Sequence, residues 1–307
     1  MGIKQKPNII HHSLGLYSTW TWVPPLRLLI DVGDGVSEYM GNRVFNIETI
    51  FISHDHLDHI SGLVSFLGHR RSARGDKEKP LLIICTSETI ASRIREVRDF
   101  TFGNKYEPSY EIIIKVLADG DELRLRDTDI YLRPFHTHHT ALSSGVVLLQ
   151  KTKRLKSALR NDPEYMNALL SGERRPGEGE YDDAEIPRLV YALDNNGLDF
   201  SSWGEKYPWG PDLLIDDLTF PEGHENHDKK HNDCNGIARN IRDLKPKKLI
   251  LSHVSSRHRF DDYNKLKKSV VENIQSKLVV GHVQPHISLH LPSISDKTFT
   301  IQTFINL

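Results

Sequence analysis

The stretch that most constrains this chain is Phe51-Ile52-Ser53-His54-Asp55-His56-Leu57-Asp58-His59, where three imidazoles and two carboxylates stand directly behind an apolar run. Thr49-Ile50-Phe51-Ile52 reads as a buried strand, and a strand holds the loop at its C-terminal end at a fixed height and direction. His54 and His56 are two residues apart and point the same way in an extended segment, whereas Asp58 and His59 follow on a turn toward a second point. That geometry suits two metal ions rather than one. Imidazole and carboxylate without thiolate form a ligand set for zinc, manganese or iron, and zinc is the usual choice at a hydrolytic site. The competing reading is an exposed polar loop that has gathered histidines by chance; the density of donors at the end of a hydrophobic strand favours the metal.

A chain of 307 residues with 38% hydrophobic and 26% charged residues can bury a sizeable core, and one large domain is expected. The formal net charge of −1 excludes an overall basic field, so any contact with nucleic acid is local. Cys85 and Cys234 are far apart in sequence and fit a reducing compartment better than a disulfide scaffold. No run reaches membrane-spanning length and the first seven residues lack the apolar core of a signal peptide, so a cytoplasmic protein with no membrane partner is expected.

Strands are expected at Leu26–Asp31, Pro80–Cys85, Ile112–Leu117, Glu122–Leu125 and Ile130–Arg133, and helices over Gly62–His69 and Ser87–Val97. Asp31-Val32-Gly33-Asp34-Gly35 ends the first strand, its glycines permitting a tight turn. Ahead of it, Asn8–Gly15 carries His11 and His12 before Tyr17, Trp20 and Trp22; this segment either borders the site or packs as an aromatic loop on a sheet edge. Arg70–Lys79 reads as a solvated polar loop. His136, His138 and His139 follow another strand, and only one of them need be a ligand. Leu189–Leu193 ends on Asp194, Asp212–Asp217 on further carboxylates, and Lys247–Ser252 on His253. A helix passing through Ile237 and Ile241, a helix over Tyr263–Ile274 and a strand over Lys277–Val280 complete the reading. Residues 151–187 are basic at Lys151–Lys156 and turn-rich and charged over Gly172–Glu180, and read as an insertion in the single domain 1–307 rather than a core element.

His54-x-His56-x-Asp58-His59, followed by Ile60-Ser61-Gly62-Leu63, resembles the signature of the metallo-β-lactamase superfamily, and its context is most similar to the ribonuclease Z branch. Val36-Ser37-Glu38 stands where that branch usually reads Thr-Gln, and Leu193-Asp194-Asn195 where it reads Gly-Asp-Thr. The resemblance implies an α+β fold, an αββα sandwich of two mixed β-sheets flanked by helices. It also implies two Zn2+ per chain, with Mn2+ as a substitute: His54, His56, His139 and Asp194 on one, and Asp58, His59, Asp194 and His253 on the other, with Asp194 bridging. His139 is chosen because Ser143 and Gly145 follow it at the family's offsets, which leaves His136 and His138 beside the ligands or facing substrate. Asp217 takes a place where glutamate is more usual and would orient His231, the proton donor to the leaving oxygen; the shorter side chain leaves open whether that contact is direct. Asp58 would also orient the nucleophile. Val254-Ser255-Ser256-Arg257-His258 is similar to the branch's L-x-H-x-S-x-R-Y stretch, and Arg257 would meet a phosphate or form an internal salt bridge. His224 and His227 compete with His231, and His282, His286 and His290 are expected to be non-ligands. Residues 151–187 occupy the place of an arm that grips the transfer RNA elbow, with a lid, a dimer contact and a plain surface excursion as alternatives. A homodimer is implied as well.

This fold hosts β-lactam, thioester and phosphodiester hydrolysis, so the site must decide among them. The complete second-metal set with the His231 region favours phosphodiesters. The leading expectation is a dinuclear zinc phosphodiester hydrolase resembling ribonuclease Z, acting in endonucleolytic transfer RNA 3′ processing. A phosphodiesterase for cyclic nucleotides or another small phosphodiester is the alternative that near-neutral charge favours. A non-catalytic, metal-stabilised binding protein is the third, and the intact ligands argue against it.

Overall fold

The computed structural model describes residues 8–72, 78–103, 108–140, 142–219, 231–254, 263–277, 286–289 and 300–303. Along them run β1 (Ile9–Leu14), β2 (Ser18–Val23), β3 (Leu28–Ile30), α1 (Val36–Met40), β4 (Thr49–Phe51), α2 (Leu57–Ile60), α3 (Leu63–Arg70), β5 (Leu81–Cys85), α4 (Glu88–Phe102), β6 (Ile112–Val116), β7 (Leu123–Arg124), β8 (Ile130–His136), β9 (Ser144–Leu155), α5 (Ser157–Arg160), α6 (Pro163–Leu170), β10 (Tyr181–Ala192), α7 (Trp203–Lys206), β11 (Leu213–Asp217), α8 (Cys234–Leu244), β12 (Lys248–Ser252), α9 (Tyr263–Lys277), β13 (His286–Leu289) and β14 (Ile301–Thr303).

Among the described residues the strands form two seven-stranded sheets, ordered β14-β1-β2-β3-β4-β5-β6 and β13-β12-β11-β10-β9-β8-β7. Each is antiparallel on one side and parallel on the other: β3, β4, β5 and β6 run parallel in the first, and β10, β11, β12 and β13 in the second. Parallel strands buried on both faces read as continuous apolar runs, which is why Leu28-Leu29-Ile30 and Leu81-Leu82-Ile83-Ile84 carry no polar alternation. Leu28, Ile30, Phe51 and Ile84 face Leu189, Tyr191, Leu213, Ile215 and Ile250 of the other sheet in a shared core. Their neighbours point the other way: Leu29, Ile50 and Ile83 pack under α3 and α4, and Val190, Leu214 and Leu249 under α8 and α9. Four layers follow, and the expected αββα sandwich holds.

Several local expectations need correction. Asn8–Gly15 is not a loop: β1 pairs along β2, from Ile10 opposite Trp22 to Leu14 opposite Ser18. Arg70 is not in a solvated loop; it closes α3, is fully buried, and donates to the Val44 and Lys79 carbonyls while lying over the Tyr110 ring. Within 151–187, Lys151–Leu155 and Tyr181–Pro187 are rungs of the β9–β10 ladder, and α5 and α6 lie between the two strands. Lys277 ends α9 rather than starting a strand, and 278–280 lie outside the described residues. The helix expected to stop at Val97 continues to Phe102, started by Ser87, whose Oγ accepts from the Ile90 amide. Cys85 and Cys234 belong to cores on opposite sides of the sandwich.

Gly33 serves close approach, whereas Gly35, at φ 75°, supplies the left-handed turn before α1. A Cβ on Gly33 would stand 2.3 Å from the Thr19 amide nitrogen and 2.5 Å from the Asp58 carbonyl oxygen. Gly33→Ala is expected to lower unfolding free energy by about 3 kcal/mol, because backbone rather than a yielding side chain must move. Gly68→Ala, within α3 and with nothing inside 4 Å of the added carbon, is expected to be neutral or stabilising by up to about 1 kcal/mol. Urea denaturation of the two variants checks the contrast.

Candidate metal centre

Chain direction sets the site. β3, β4, β10, β11 and β12 all reach the same edge with their carboxyl ends; Asp217 closes β11 there, and Asp31, His54, Asp194 and His253 follow the other four strands. Ligand sites gather where parallel strands end. Asp31, Asp194 and His253 take left-handed φ values of 57°, 51° and 64°, a backbone state that costs non-glycine residues energy and that turns each side chain out of its strand.

Two clusters result. His54, His56, His139 and Asp194 bring one donor atom each within 4.8 Å of one another, as do Asp58, His59 and His253. Asp194 belongs to the first and touches the second: its Oδ2 lies 3.1 Å from His54 Nε2 and 3.2 Å from His59 Nε2, and its Oδ1 3.1 Å from His253 Nδ1. His139 Nε2 is 3.3 Å from His56 Nδ1, and Asp58 Oδ2 is 3.3 Å from His253 Nε2. His136 and His138 are exposed and outside both clusters, as is His286 in β13.

His54 Nε2, His59 Nε2 and Asp194 Oδ1 are buried without a hydrogen-bond partner. Buried polar atoms are costly when unsatisfied. Lone pairs converging on one region are what a divalent cation satisfies, so the donor set fits a metal. Burial would raise the Asp194 pKa, but His253 and His59 outweigh it and hold the carboxylate ionised. Burial and His59 together push His54 below its ordinary value, and burial and His139 do the same for His56, leaving both neutral and able to bind a cation.

A second layer of hydrogen bonds aims the ligands. Asp31 Oδ2 accepts from His59 Nδ1 at 2.8 Å, from the Tyr191 hydroxyl at 2.6 Å and from Ser53 Oγ at 2.9 Å. Ser53 Oγ in turn lies 3.0 Å from His54 Nδ1, so one buried carboxylate turns the Nε2 atoms of two imidazoles toward the site. Burial opposes the charged form of His59, yet Asp31 and Asp194 keep its pKa above the usual value. His11 spans the sandwich, with Nδ1 2.7 Å from Thr21 Oγ1 and Nε2 2.7 Å from Ser252 Oγ, directly before His253. Sequence reading missed Ser53, Tyr191 and Asp31 in these roles, although Asp31 ends a buried strand just as Asp194 does.

His231 stands beside the clusters, its ring 4.6 Å from that of His139 and 5.5 Å from that of His253. Its Nδ1 lies 2.8 Å from Asp217 Oδ2, so the shorter carboxylate reaches it directly; the other oxygen accepts from the Thr219 amide and hydroxyl. Burial lowers the His231 pKa, but Asp217 overrides it and raises it to about 9. Asp194, Asp217, His231 and His253 also meet the 4.8 Å spacing, while the 2.8 Å bond engages His231 Nδ1 with Asp217. Arg257, His224, His227, His282 and His290 lie outside the described residues.

The fold is shared with a metallo-β-lactamase fold protein of Bacillus subtilis, at a TM-score of 0.58 and 14% identity over 92% of this chain and 95% of that one. No protein-family model matches the chain. In sequence it is 25% identical over 251 residues to the ribonuclease Z of Metallosphaera sedula, covering 76% of this chain and 80% of that protein. It is 24% identical over 273 residues to the chloroplastic tRNase Z TRZ2 of Arabidopsis thaliana, covering 87% and 73%. The chain is thus ribonuclease Z-like in sequence and shares the metallo-β-lactamase fold.

Asp216 ties the elements that carry the site. Its carboxylate accepts from Asn195 beside Asp194 at 2.9 Å, from the Asp217 amide at 2.9 Å and from Asn240 of α8 at 2.8 Å. Burial raises its pKa to about 6 despite Asn240 and Asn195. A carboxyl group raised in the folded state contributes stability that is complete below its unfolded value near 3.8 and is lost as pH rises through about 6. Asp216→Asn removes that titration. Its stability relative to the native chain is expected to improve by up to roughly 3 kcal/mol between pH 4 and 7 and to level off above, read by urea denaturation at a series of pH values.

Proposed function

We propose that the chain is a dinuclear metal-dependent phosphodiester hydrolase of the ribonuclease Z type that cuts 3′ extensions from transfer RNA precursors. The observation that carries this reading is Asp194, one buried carboxylate with the donors of two clusters on either side of it and a hydrogen-bonded imidazole–carboxylate pair close by. His54, His56, His139 and Asp194 hold one Zn2+, and Asp58, His59, Asp194 and His253 the other, with Mn2+ as a substitute. When bound, two such cations lower the pKa of a water and neutralise charge on a phosphodiester. Asp58 orients the attacking water by accepting a hydrogen bond from it. Asp217 holds His231 through Nδ1, which makes Nε2 the atom that donates a proton to the leaving oxygen. The working unit is a cytoplasmic homodimer; no helix among the described residues is long and apolar enough to cross a membrane.

Hydrolysis of a cyclic nucleotide is the second reading, and one feature favours it. Three cations of the β9–β10 hairpin and its surroundings are paired, Lys151 with Glu122, Arg174 with Glu180, and Arg188 with Asp212, which withdraws these three from a phosphate backbone. A non-catalytic scaffold would have no need of the complete donor set together with the His231–Asp217 pair.

Metal-loaded protein incubated with a 3′-extended transfer RNA precursor and a panel of cyclic nucleotides is expected to cut the precursor after the discriminator nucleotide. Asp58→Ala and His231→Ala should each lower kcat by about 10²- to 10⁴-fold. Opening of a cyclic nucleotide with the precursor intact would transfer the assignment to the second reading, and no turnover of either would remove both. Elemental analysis tests the metal part separately: about two ions per chain are expected, and fewer than one after Asp194→Ala.

A further inference from the structure

We infer that Leu16, Tyr17 and Leu57 form an apolar rim that stacks the base of the nucleoside attached to the scissile phosphate; this rests on the phosphodiester reading above. Seven large hydrophobic side chains are exposed among the described residues, and three of them, Leu16 and Tyr17 between β1 and β2 and Leu57 at the start of α2, are 59%, 60% and 75% exposed. Leu57 lies between His56 and Asp58 in the chain. The turn Gly15-Leu16-Tyr17 presses on the site: a Cβ on Gly15 would be 3.1 Å from the His253 carbonyl oxygen and 3.5 Å from its Cε1.

The β1–β2 turn and the start of α2 meet at Gly33, whose missing side chain lets Thr19 and the Asp58 carbonyl close on it, and Ser18 Oγ, donating to the Asp34 carbonyl at 2.6 Å, ties the β1–β2 turn to that same segment. Leu16 holds φ at 74°, and the Tyr17 amide donates to the Leu14 carbonyl to close the turn. Glycine or asparagine would occupy that backbone state with less strain, and a polar side chain would suit the exposure better. Folding stability therefore does not favour Leu16 at this position, whereas a ligand seated on the rim would. Three side chains are too few for a protein interface, which needs about 800 Å² on each partner. A planar ring covalently tied to a phosphate at the adjacent centre fits the size and the position. Stacking on an aromatic face accepts any base, so the rim distinguishes nucleoside esters from simple phosphodiesters rather than one base from another.

Thymidine 5′-(4-nitrophenyl phosphate) and methyl 4-nitrophenyl phosphate share a leaving group and differ in the nucleoside. With the metal-loaded native chain, kcat/KM is expected to favour the nucleoside ester. Tyr17→Ala should cut that preference by about five- to a hundredfold, through KM, with the methyl ester and the metal content unchanged. Tyr17→Phe should retain it, and Leu57→Ser should lose part of it. An unchanged preference in Tyr17→Ala, or equal loss on both esters, overturns the rim. Native protein that turns over neither ester overturns the rim, and the phosphodiester reading falls with it only if the transfer RNA precursor and the cyclic nucleotides are left intact as well.

Discussion

Asp194 is a carboxylate taken wholly out of water, and the surroundings of the site are arranged to keep it charged. Removing an ion from water costs several kcal/mol unless opposite charge and hydrogen bonds replace the solvent. Four imidazoles, His54, His59, His139 and His253, supply that environment at 3.1 to 3.7 Å. They come from three separate loops, so satisfying one carboxylate requires both sheets to bring their carboxyl ends to the same edge. Buried nitrogen and oxygen atoms of His54, His59 and Asp194 still lack a hydrogen-bond partner there, as atoms that could hold a cation would.

Holding such a centre costs the backbone strain, and packing offsets it. Asp31, Asp194 and His253 are left-handed at the ends of strands whose own residues are fully buried. Backbones also approach closely where side chains are absent: Gly62 lies against the Gly33 carbonyl, and Gly145 against the Tyr191 carbonyl and the Phe135 ring. Rigid strands thus carry the ligands, while hydrogen bonds to Asp31 and Asp217 and with Ser53 Oγ orient the rings of His59, His231 and His54.

Legibility from sequence followed the range of the interaction. His54, His56, Asp58 and His59 were legible because four donors fall within six residues behind an apolar run. Asp194, Asp217 and His253 were legible because a polar residue at the end of a buried strand stands out against it. Asp31 met the same description but was read only as part of a turn. Arg70 was misread because nothing local reveals that Val44, Lys79 and Tyr110 fold around it. The 151–187 segment has the composition of an excursion, yet strand pairing runs through both of its ends, since an exposed two-stranded ladder tolerates charge on its surface.

Local pattern by itself therefore determined the strand runs and which residue types stand at their ends, because apolar runs and their abrupt polar endings are properties of neighbouring residues, whereas the layered fold was implied by the resemblance to the metallo-β-lactamase superfamily. The choice of His139 over His136 and His138 was likewise already implied by the resemblance, whereas the tertiary structure alone decided that Asp217 reaches His231 directly and that Tyr191 and Ser53 share Asp31. Those outcomes depend on side chains that meet across the sandwich, 160 residues apart for Tyr191 and Asp31 and 241 for His11 and Ser252. A hydrogen bond is set by a few tenths of an ångström in the final packing, and no spacing along the chain encodes that distance.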